Sequence, residues 1–277
     1  MSASPEFCIV NAPGINCNDE TAQALTLAGA SVEQIHISDL KRGDKELSRY
    51  KGLVIAGGFS YGDIIRAGAI FANEFTARRQ IVVLDEPSIT EQLNEFTSAK
   101  KPMLGICNGF QVLVEAGILP GGKIDPSAEH IFTLDTNQNL KFECRWSRLR
   151  VEDSNCQFID EEDIGRVIAM PIAHAEGRFL SSDPEAYRRL IRAGQAVLRY
   201  CDIDGVPTEQ YPDNPNGSPL GINAICSPDG TALGMMPHDE RTARRELYPN
   251  WRREEVIMPQ DFYSKILKNA VKYAKEM

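Results

Sequence analysis

The residues with the clearest capacity for chemistry lie in the segment Gly105–Gly109, which reads Gly-Ile-Cys-Asn-Gly. An apolar run precedes this segment and a helical pattern follows it. Glycines two positions before and two after Cys107 let a strand and a helix pass close together at a sharp turn, the pattern of a nucleophile elbow. The N-terminus of the helix favours a thiolate. A lone cysteine in an apolar segment is usually a core residue, but this frame predicts a catalytic one.

A cysteine nucleophile needs a general base, and the sequence has only four histidines, at positions 36, 130, 174 and 238. Only His174 and His238 follow apolar strand patterns, and each has a glutamate two residues further on, Glu176 and Glu240. Along an extended segment, residues two apart point to the same side, so either glutamate could hydrogen-bond its histidine ring and fix the tautomer. Spacing alone leaves both pairs open as the base of the site.

The elements that would position these groups alternate between strand and helix in the first half of the chain. Predicted strands are Phe7–Val10, Val32–Ile37, Gly52–Ala56 and Pro102–Ile106, and predicted helices are 18–27, with Asn18 or Asp19 as its cap, and 108–116. This alternation predicts a parallel sheet with helices on both faces. Reactive groups in such sheets collect at the carboxyl ends of the strands, where Gly57, Gly58 and Cys107 are expected.

The second half has a different pattern. Predicted strands are 140–151, 166–172 and 195–201, followed by a hairpin of 222–226 and 232–236 around the turn 227–230. Long helices do not separate these strands, so we expect antiparallel strands added to the sheet edge. Further helices are predicted at 90–100 and 260–275.

Composition excludes several classes of protein. The chain has 277 residues with a formal net charge of −9, which argues against broad nucleic-acid binding. No apolar run is long enough to span a bilayer, and the N-terminus lacks the pattern of a secretory signal. Seven scattered cysteines without a Cys-x-x-Cys pair fit a reducing cytosol. A cytoplasmic protein that binds neither nucleic acid nor membrane is therefore expected.

Two segments resemble ligand-binding loops without completing them. Gly117–Lys123 matches the first part of a phosphate-binding loop, but Ile124 stands where Ser or Thr is needed. Asp202–Gly205 matches the start of a calcium loop but lacks the later ligands. The sequence therefore predicts no metal site and no nucleotide site on this chain.

The segment around Cys107, with a downstream His-x-Glu, resembles the class I (triad) glutamine amidotransferases. More narrowly, the chain resembles the family of glutaminase subunits of phosphoribosylformylglycinamidine synthase, through blocks that occur in order at 57–63, 66–69, 115–120, 142–146, 171–178, 214–218 and 234–241. The resemblance implies an α/β, flavodoxin-like fold with a central, mostly parallel sheet. It also implies a single domain over 1–277, with a family-matching core at about 7–241 and a C-terminal extension at 242–277 that carries the terminal helix.

The resemblance also implies roles for individual residues. It selects Cys107, His238 and Glu240 as the catalytic triad, and so His238 over His174. It implies an oxyanion hole formed by the backbone N–H groups of Gly58 and Asn108.

Four other positions receive less definite roles from the resemblance. Gln111 and the backbone of Phe59 would help to hold the glutamine substrate. His174 and Glu176 would line the glutamine pocket, gate an ammonia path or contact a partner. One departure from the family pattern is Asp239, which stands where proline is usual and is expected to add a negative charge beside the triad.

The activity that the resemblance implies is hydrolysis of L-glutamine to glutamate and ammonia through a Cys107 thioester. Ammonia would pass to a synthase subunit, with a small third subunit as a further candidate partner. No cofactor is expected on this chain, whereas ATP and magnesium are expected on the synthase. The alternatives are another class I amidotransferase, a cysteine amidohydrolase or peptidase on the same scaffold, and a catalytically silent binding module.

Overall fold

A central sheet organises the computed structural model, which describes residues 4–76, 87–249, 251–252 and 263–277. The strands are β1 Glu6–Asn11, β2 Ser31–His36, β3 Gly52–Ile55, β4 Met103–Ile106, β5 Phe132–Asp135, β6 Glu143–Val151, β7 Val167–His174, β8 Arg178–Ser181, β9 Ala196–Tyr200, β10 Ile222–Cys226 and β11 Ala232–Met235. Nine of these described strands form the central sheet in the order β2-β1-β3-β4-β11-β10-β9-β6-β7, and β5 and β8 form a separate antiparallel pair.

The five strands β2-β1-β3-β4-β11 run parallel to one another. Every residue of β3 and β4 is buried, because strands in the middle of such a sheet are covered on both faces. The predicted parallel sheet and the predicted positions of these strands are confirmed. Cys107 follows the last residue of β4, and Gly57 and Gly58 follow β3 closely, so both groups lie at carboxyl ends of adjacent strands.

The remaining strands β10, β9, β6 and β7 pair antiparallel on the far side of β11. The predicted hairpin forms, but its second strand, β11, pairs with β4 and completes the parallel half. Strand β7 is last in the sheet order, yet its Pro171 carbonyl accepts the N–H of His238 (2.9 Å). The antiparallel half therefore brings β7 back against the segment that follows β11.

Helices flank the sheet in two groups. They are α1 Asn18–Leu27, α2 Ile37–Arg42, α3 Ala69–Thr76, α4 Ile89–Ser98, α5 Asn108–Glu115, α6 Ala186–Arg192 and α7 Lys265–Glu276. Helix α5 packs on β3, β4 and β11 and contacts α3, whereas α1 contacts β1, β2 and the terminal helix α7.

Sequence patterns predicted α1, α4, α5 and α7. The N-cap residue of α1 is Cys17, whose side chain makes no capping bond, and not Asn18 or Asp19 as predicted. Residues 260–262 of the predicted terminal helix lie outside the described residues.

The elements that sequence patterns missed are short. Helices α2, α3 and α6 have six, eight and seven residues, and β5 and β8 have four each. Helix α2 follows β2 directly because His36 acts as its N-cap in a capping box with Asp39, a role usually taken by Ser, Thr, Asp or Asn. Among the helices that the structure describes, none is long and apolar enough to cross a membrane.

Replacing Gly109 with alanine is expected to destabilise the protein by about 1–3 kcal/mol, because overpacking at a rigid contact forces the backbone to move. A Cβ atom on Gly109 would lie 1.9 Å from the carbonyl oxygen of Ile55 in β3. Gly121 is a suitable control, since its added Cβ would meet nothing closer than 3.4 Å. Urea unfolding of both alanine variants tests this, and equal midpoints would contradict the close approach of α5 to β3.

Candidate active site

The turn between β4 and α5 has the geometry of a nucleophile elbow. Cys107 has φ 53° and ψ −106°, a strained conformation for a residue with a Cβ atom. Its N–H donates to the Met235 carbonyl of β11 (2.7 Å). Both flanking glycines are sterically required, because a Cβ on Gly105 would lie 2.5 Å from the Gly109 carbonyl oxygen and one on Gly109 would strike β3. The backbone therefore holds the thiol at the end of the strand.

The Cys107 side chain is only 6% exposed. Its Sγ lies 3.6 Å from the Ala173 carbonyl oxygen of β7, so the returning edge strand forms one wall of the site. The opposite wall includes Gly57, where an added Cβ would lie 2.9 Å from Cε1 of His238 and 3.4 Å from Cβ of Cys107. The absence of a side chain at Gly57 thus allows the cysteine and the histidine to approach each other.

His238 and Glu240 form a directly bonded pair. Nδ1 of His238 lies 2.5 Å from Oε1 of Glu240, and both side chains are almost completely buried. The bond to Glu240 uses Nδ1, so Nε2 is the ring nitrogen that is not bonded to the carboxylate. This arrangement fixes the ring through Nδ1 and leaves Nε2 available for proton transfer.

The charge of Glu240 controls the titration of His238. Burial by itself opposes a charged imidazole, but the carboxylate of Glu240 and then the Cys107 sulfur outweigh it and hold the pKa of His238 well above its ordinary value. A histidine that stays protonated next to a cysteine stabilises the thiolate. The three groups can therefore form a thiolate–imidazolium pair with a carboxylate behind it.

The second His-x-Glu pair of the sequence is not bonded internally. Nδ1 of His174 lies 3.1 Å from Oδ1 of Asn137, while Oε2 of Glu176 accepts the N–H of Ala67 (2.9 Å). Burial, followed by the positive charge of His238, lowers the pKa of His174 to about 3. His174 is consequently a neutral residue that supports the site, with its ring packed against Gly177.

The two predicted oxyanion-hole residues flank the elbow. Asn108 is the first residue of α5, so its N–H has no intrahelical acceptor. Gly58 has φ 153°, and an added Cβ would lie 2.7 Å from Cα of Ile15, so only glycine fits there. Asn108 directly follows Cys107 after β4, and Gly58 follows the adjacent strand β3, so both residues lie at carboxyl ends of neighbouring strands. Their role as an oxyanion hole stays a prediction.

The two predicted substrate-binding residues are held differently. The side-chain amide of Gln111 bonds to Asn108 and to the Glu176 carbonyl, and is buried. The ring of Phe59 is 46% exposed and faces Phe142, with the ring centroids 6.4 Å apart. Its backbone N–H donates to Gly14 and its carbonyl accepts from Gly62. The Phe59 N–H is thus already used within the protein, while its carbonyl oxygen keeps a second lone pair. That the Phe59 backbone helps to hold glutamine stays a prediction.

Three residues near the site received no individual role from sequence reasoning. Asp63 accepts a bond from Asn108 (3.3 Å), and burial, followed by the charge of Glu176, raises its pKa to about 6. Nη2 of Arg241 donates to the sulfur of Cys17 (3.2 Å). Asp63 and Arg241 do fall in blocks that carried the resemblance, which is the signal that could have identified them.

Two clusters of potential metal ligands occur in the described part of the chain, and each lies next to the charged end of an arginine or lysine side chain. Cys17, Glu20, His238 and Glu240 lie together, and Arg241 bonds to Glu20 (2.7 Å) and contacts Cys17. The second cluster, around Asp163, binds the Lys265 ammonium (2.6 Å). In both clusters a basic side chain is already bonded to a carboxylate, where a metal ion would otherwise bind.

A family model described as a CobB/CobQ-like glutamine amidotransferase domain matches residues 4–274 of the chain. The fold and the Cys-His-Glu site therefore define a glutamine amidotransferase. The subunit PurQ of phosphoribosylformylglycinamidine synthase from Methanococcus maripaludis is 37% identical over 279 residues, with 97% of each chain covered. The PurQ subunit from Treponema denticola is 40% identical, covering 85% of this chain and 87% of its own.

A chain in the structure of PurLQS from Thermotoga maritima superimposes with a TM-score of 0.69, at 27% identity and 99% coverage of both chains. With these relatives, the chain belongs to the family of PurQ subunits of phosphoribosylformylglycinamidine synthase. The implied flavodoxin-like fold with a sheet flanked by helices is confirmed.

Proposed function

We propose that this chain is the glutaminase subunit of a phosphoribosylformylglycinamidine synthase and that Cys107, His238 and Glu240 carry its chemistry. The observation that supports this proposal best is the bonded His238–Glu240 pair beside a strained, glycine-framed cysteine. The alternative pair at His174 lacks the bonded carboxylate that a base of this kind needs. A peptidase or another amidohydrolase on the same scaffold has less support, because the relatives that match almost the whole chain are PurQ subunits.

The reaction begins with attack of the Cys107 thiolate on the side-chain amide carbon of glutamine. Negative charge develops on the amide oxygen, and the N–H groups of Gly58 and Asn108 are the proposed donors to it. His238 in its imidazolium form then gives its Nε2 proton to the departing nitrogen, which leaves as ammonia. A thioester remains on Cys107.

Hydrolysis of the thioester reverses the proton movement. Neutral His238 accepts a proton from water, the resulting hydroxide attacks the thioester carbon, and glutamate leaves as the thiolate re-forms. Glu240 remains ionised and stabilises the imidazolium in both halves of the cycle. The network of Asn108, Gln111 and Glu176 holds the first turn of α5 against the wall of the pocket.

The ammonia is consumed on the synthase partner, which converts formylglycinamide ribonucleotide to formylglycinamidine ribonucleotide with ATP in purine biosynthesis. ATP and magnesium would bind the synthase, and a small third subunit is a further partner. We place the complex in the cytoplasm, in keeping with seven cysteines that are all free in the structure.

Reconstitution with a synthase subunit tests this function. We expect the chain to support glutamine-dependent formation of the amidine when the synthase, ATP and formylglycinamide ribonucleotide are present. Glutamate release should rise well above that of the isolated chain, because such sites are often completed only on assembly. Amidine formation from free ammonia by the synthase alone is the control. If the added chain gave no glutamine-dependent product in an ammonia-competent complex, the proposal would fail.

A further inference from the structure

Asp239 lies between the two catalytic residues His238 and Glu240, but its side chain turns away from them. Oδ2 of Asp239 accepts the backbone N–H of Leu267 in the first turn of α7 (2.9 Å). The two residues are 28 positions apart in the chain. Asp239 therefore caps the N-terminus of a helix that belongs to a distant segment, where a carboxyl oxygen satisfies an otherwise unpaired N–H.

Further hydrogen bonds tie the same two segments together. The Asp239 carbonyl accepts the hydroxyl of Thr242 (2.7 Å) and that of Ser264 (2.9 Å), and the Thr242 hydroxyl accepts the Ser264 N–H (2.8 Å). Asp239, Thr242 and Ser264 are all at most 2% exposed. Ser264 is the N-cap residue of α7, yet its own side chain makes no capping bond to the helix. Asp239, and not Ser264, therefore provides the side-chain acceptor that caps α7.

Helix α7 is itself firmly packed. Its buried face contains Ile266, Leu267, Ala270, Val271 and Ala274, which join the main hydrophobic core. Lys265 at its start binds Asp163 (2.6 Å). The helix is thus a fixed element against which a short polar turn can be held.

We propose that Asp239 is a positioning residue that ties the His238–Glu240 turn to the N-terminus of α7 and so keeps the imidazole in place for catalysis. The inference builds on the proposed function. In this role the C-terminal helix α7 orients His238 through one buried hydrogen-bond cluster and does not itself contact the substrate. Because the Asp239 carboxyl points at α7, it does not act as a second carboxylate for His238.

Replacing Asp239 with alanine tests the proposal. The variant Asp239→Ala removes the acceptor for the Leu267 N–H, so amide hydrogen exchange in the first turn of α7 should become faster. We expect kcat for glutamine hydrolysis in the assembled synthase to fall by about 10- to 100-fold, since small misplacements of catalytic groups cost this much. KM for glutamine should change little, because Asp239 lies away from the pocket. The variant Asp239→Asn keeps one acceptor and should recover most of the activity.

A matched control separates this effect from a general loss of stability. Ser88 caps α4 through the N–H of Glu91 (3.2 Å), so Ser88→Ala also removes a helix cap, but on a different helix. It should loosen α4 without lowering kcat. If Asp239→Ala fails to fold, Ser264→Ala removes one bond of the same cluster and should give a smaller change in the same direction.

Titration of Asp239 gives a second readout. Burial raises its pKa to about 7, Glu240 acts in the same direction, and the Leu267 N–H, Thr242 and Lys268 oppose the shift. A carboxyl whose pKa is raised in the folded state contributes stability that is present at low pH and is lost as pH rises from 3.8 towards about 7. The stability of Asp239→Asn relative to the unchanged protein should therefore increase across this range.

The outcomes distinguish this inference from the proposed function. If the unchanged complex did not hydrolyse glutamine, the proposed function would fail, whereas exchange in α7 can be compared between variants without any turnover. Faster exchange in α7 with unchanged kcat, and an unchanged rate of Cys107 alkylation by a glutamine-like electrophile, would overturn the positioning role. Unchanged exchange in Asp239→Ala would overturn the structural coupling itself.

Discussion

Cys107→Ala is expected to remove glutamine-dependent activity and to leave ammonia-dependent activity of the assembled synthase intact. Without the thiolate no thioester can form, and loss of a nucleophile that acts together with its base typically costs at least about 10⁴-fold in kcat. Alanine fits the site because Cys107 contributes only a small, buried side chain. Glutamate release and amidine formation from added ammonia, measured in the same complex, test both halves of the prediction.

Cys8 provides the matched control. It is a completely buried cysteine in β1, and burial raises the pKa of its thiol, so it remains unreactive. Cys8→Ala should preserve glutaminase activity, and a glutamine-like chloroketone should label Cys107 but not Cys8. Residual glutamate release by Cys107→Ala at the rate of the unchanged complex would exclude Cys107 as the nucleophile.

Glu240→Gln is expected to lower kcat by about 10³–10⁴-fold, similar to the effect of replacing the acidic member of other triads. Glutamine preserves the size of the side chain but removes the charge that holds the pKa of His238 high. Burial of His238 then acts without that opposition, so the imidazole loses its proton at a lower pH than in the unchanged protein. The Cys107 thiolate then also loses the positive charge of the His238 imidazolium, which stabilises it.

The pH dependence of Cys107 alkylation measures this change directly. In the unchanged protein the imidazolium persists above the ordinary histidine range, so the thiolate should react rapidly at neutral pH. In Glu240→Gln the rapid reaction should appear only at higher pH. Glu33→Gln is the control, because Glu33 bonds to Lys45 at a partly exposed position in β2 and is not part of the cluster around His238. An alkylation profile that Glu240→Gln left unchanged would show that Glu240 does not control the base.

Much of the fold could be read from sequence because the signals are local. Apolar runs of four or five residues, each followed by a glycine within four positions, marked β1, β3 and β4. The Ser227–Gly230 turn marked the β10–β11 hairpin. The elements that were missed, such as α2 and β8, are too short to show a period. Their stability comes from caps and partner strands elsewhere in the chain, as with the pairing of β8 to β5.

The sequence alone predicted Cys107 as the nucleophile, because glycines at 105 and 109 are what a sharp strand-to-helix turn around it requires. It also limited the base to two His-x-Glu pairs with identical spacing, and the family resemblance selected one. Only the tertiary structure showed that Glu240 bonds to its histidine whereas Glu176 bonds to the Ala67 N–H.

Asp239 shows the same division between local and distant information. Its place in the sequence indicated an added charge beside the triad, but the folded chain directs its carboxyl to the N–H of Leu267 in α7. Hydrogen-bond partners of buried polar groups are chosen by packing of segments far apart in sequence, since each such group must find a partner wherever the fold supplies one. Spacing along the chain determines which residue types are available, and three-dimensional packing decides which of them meet.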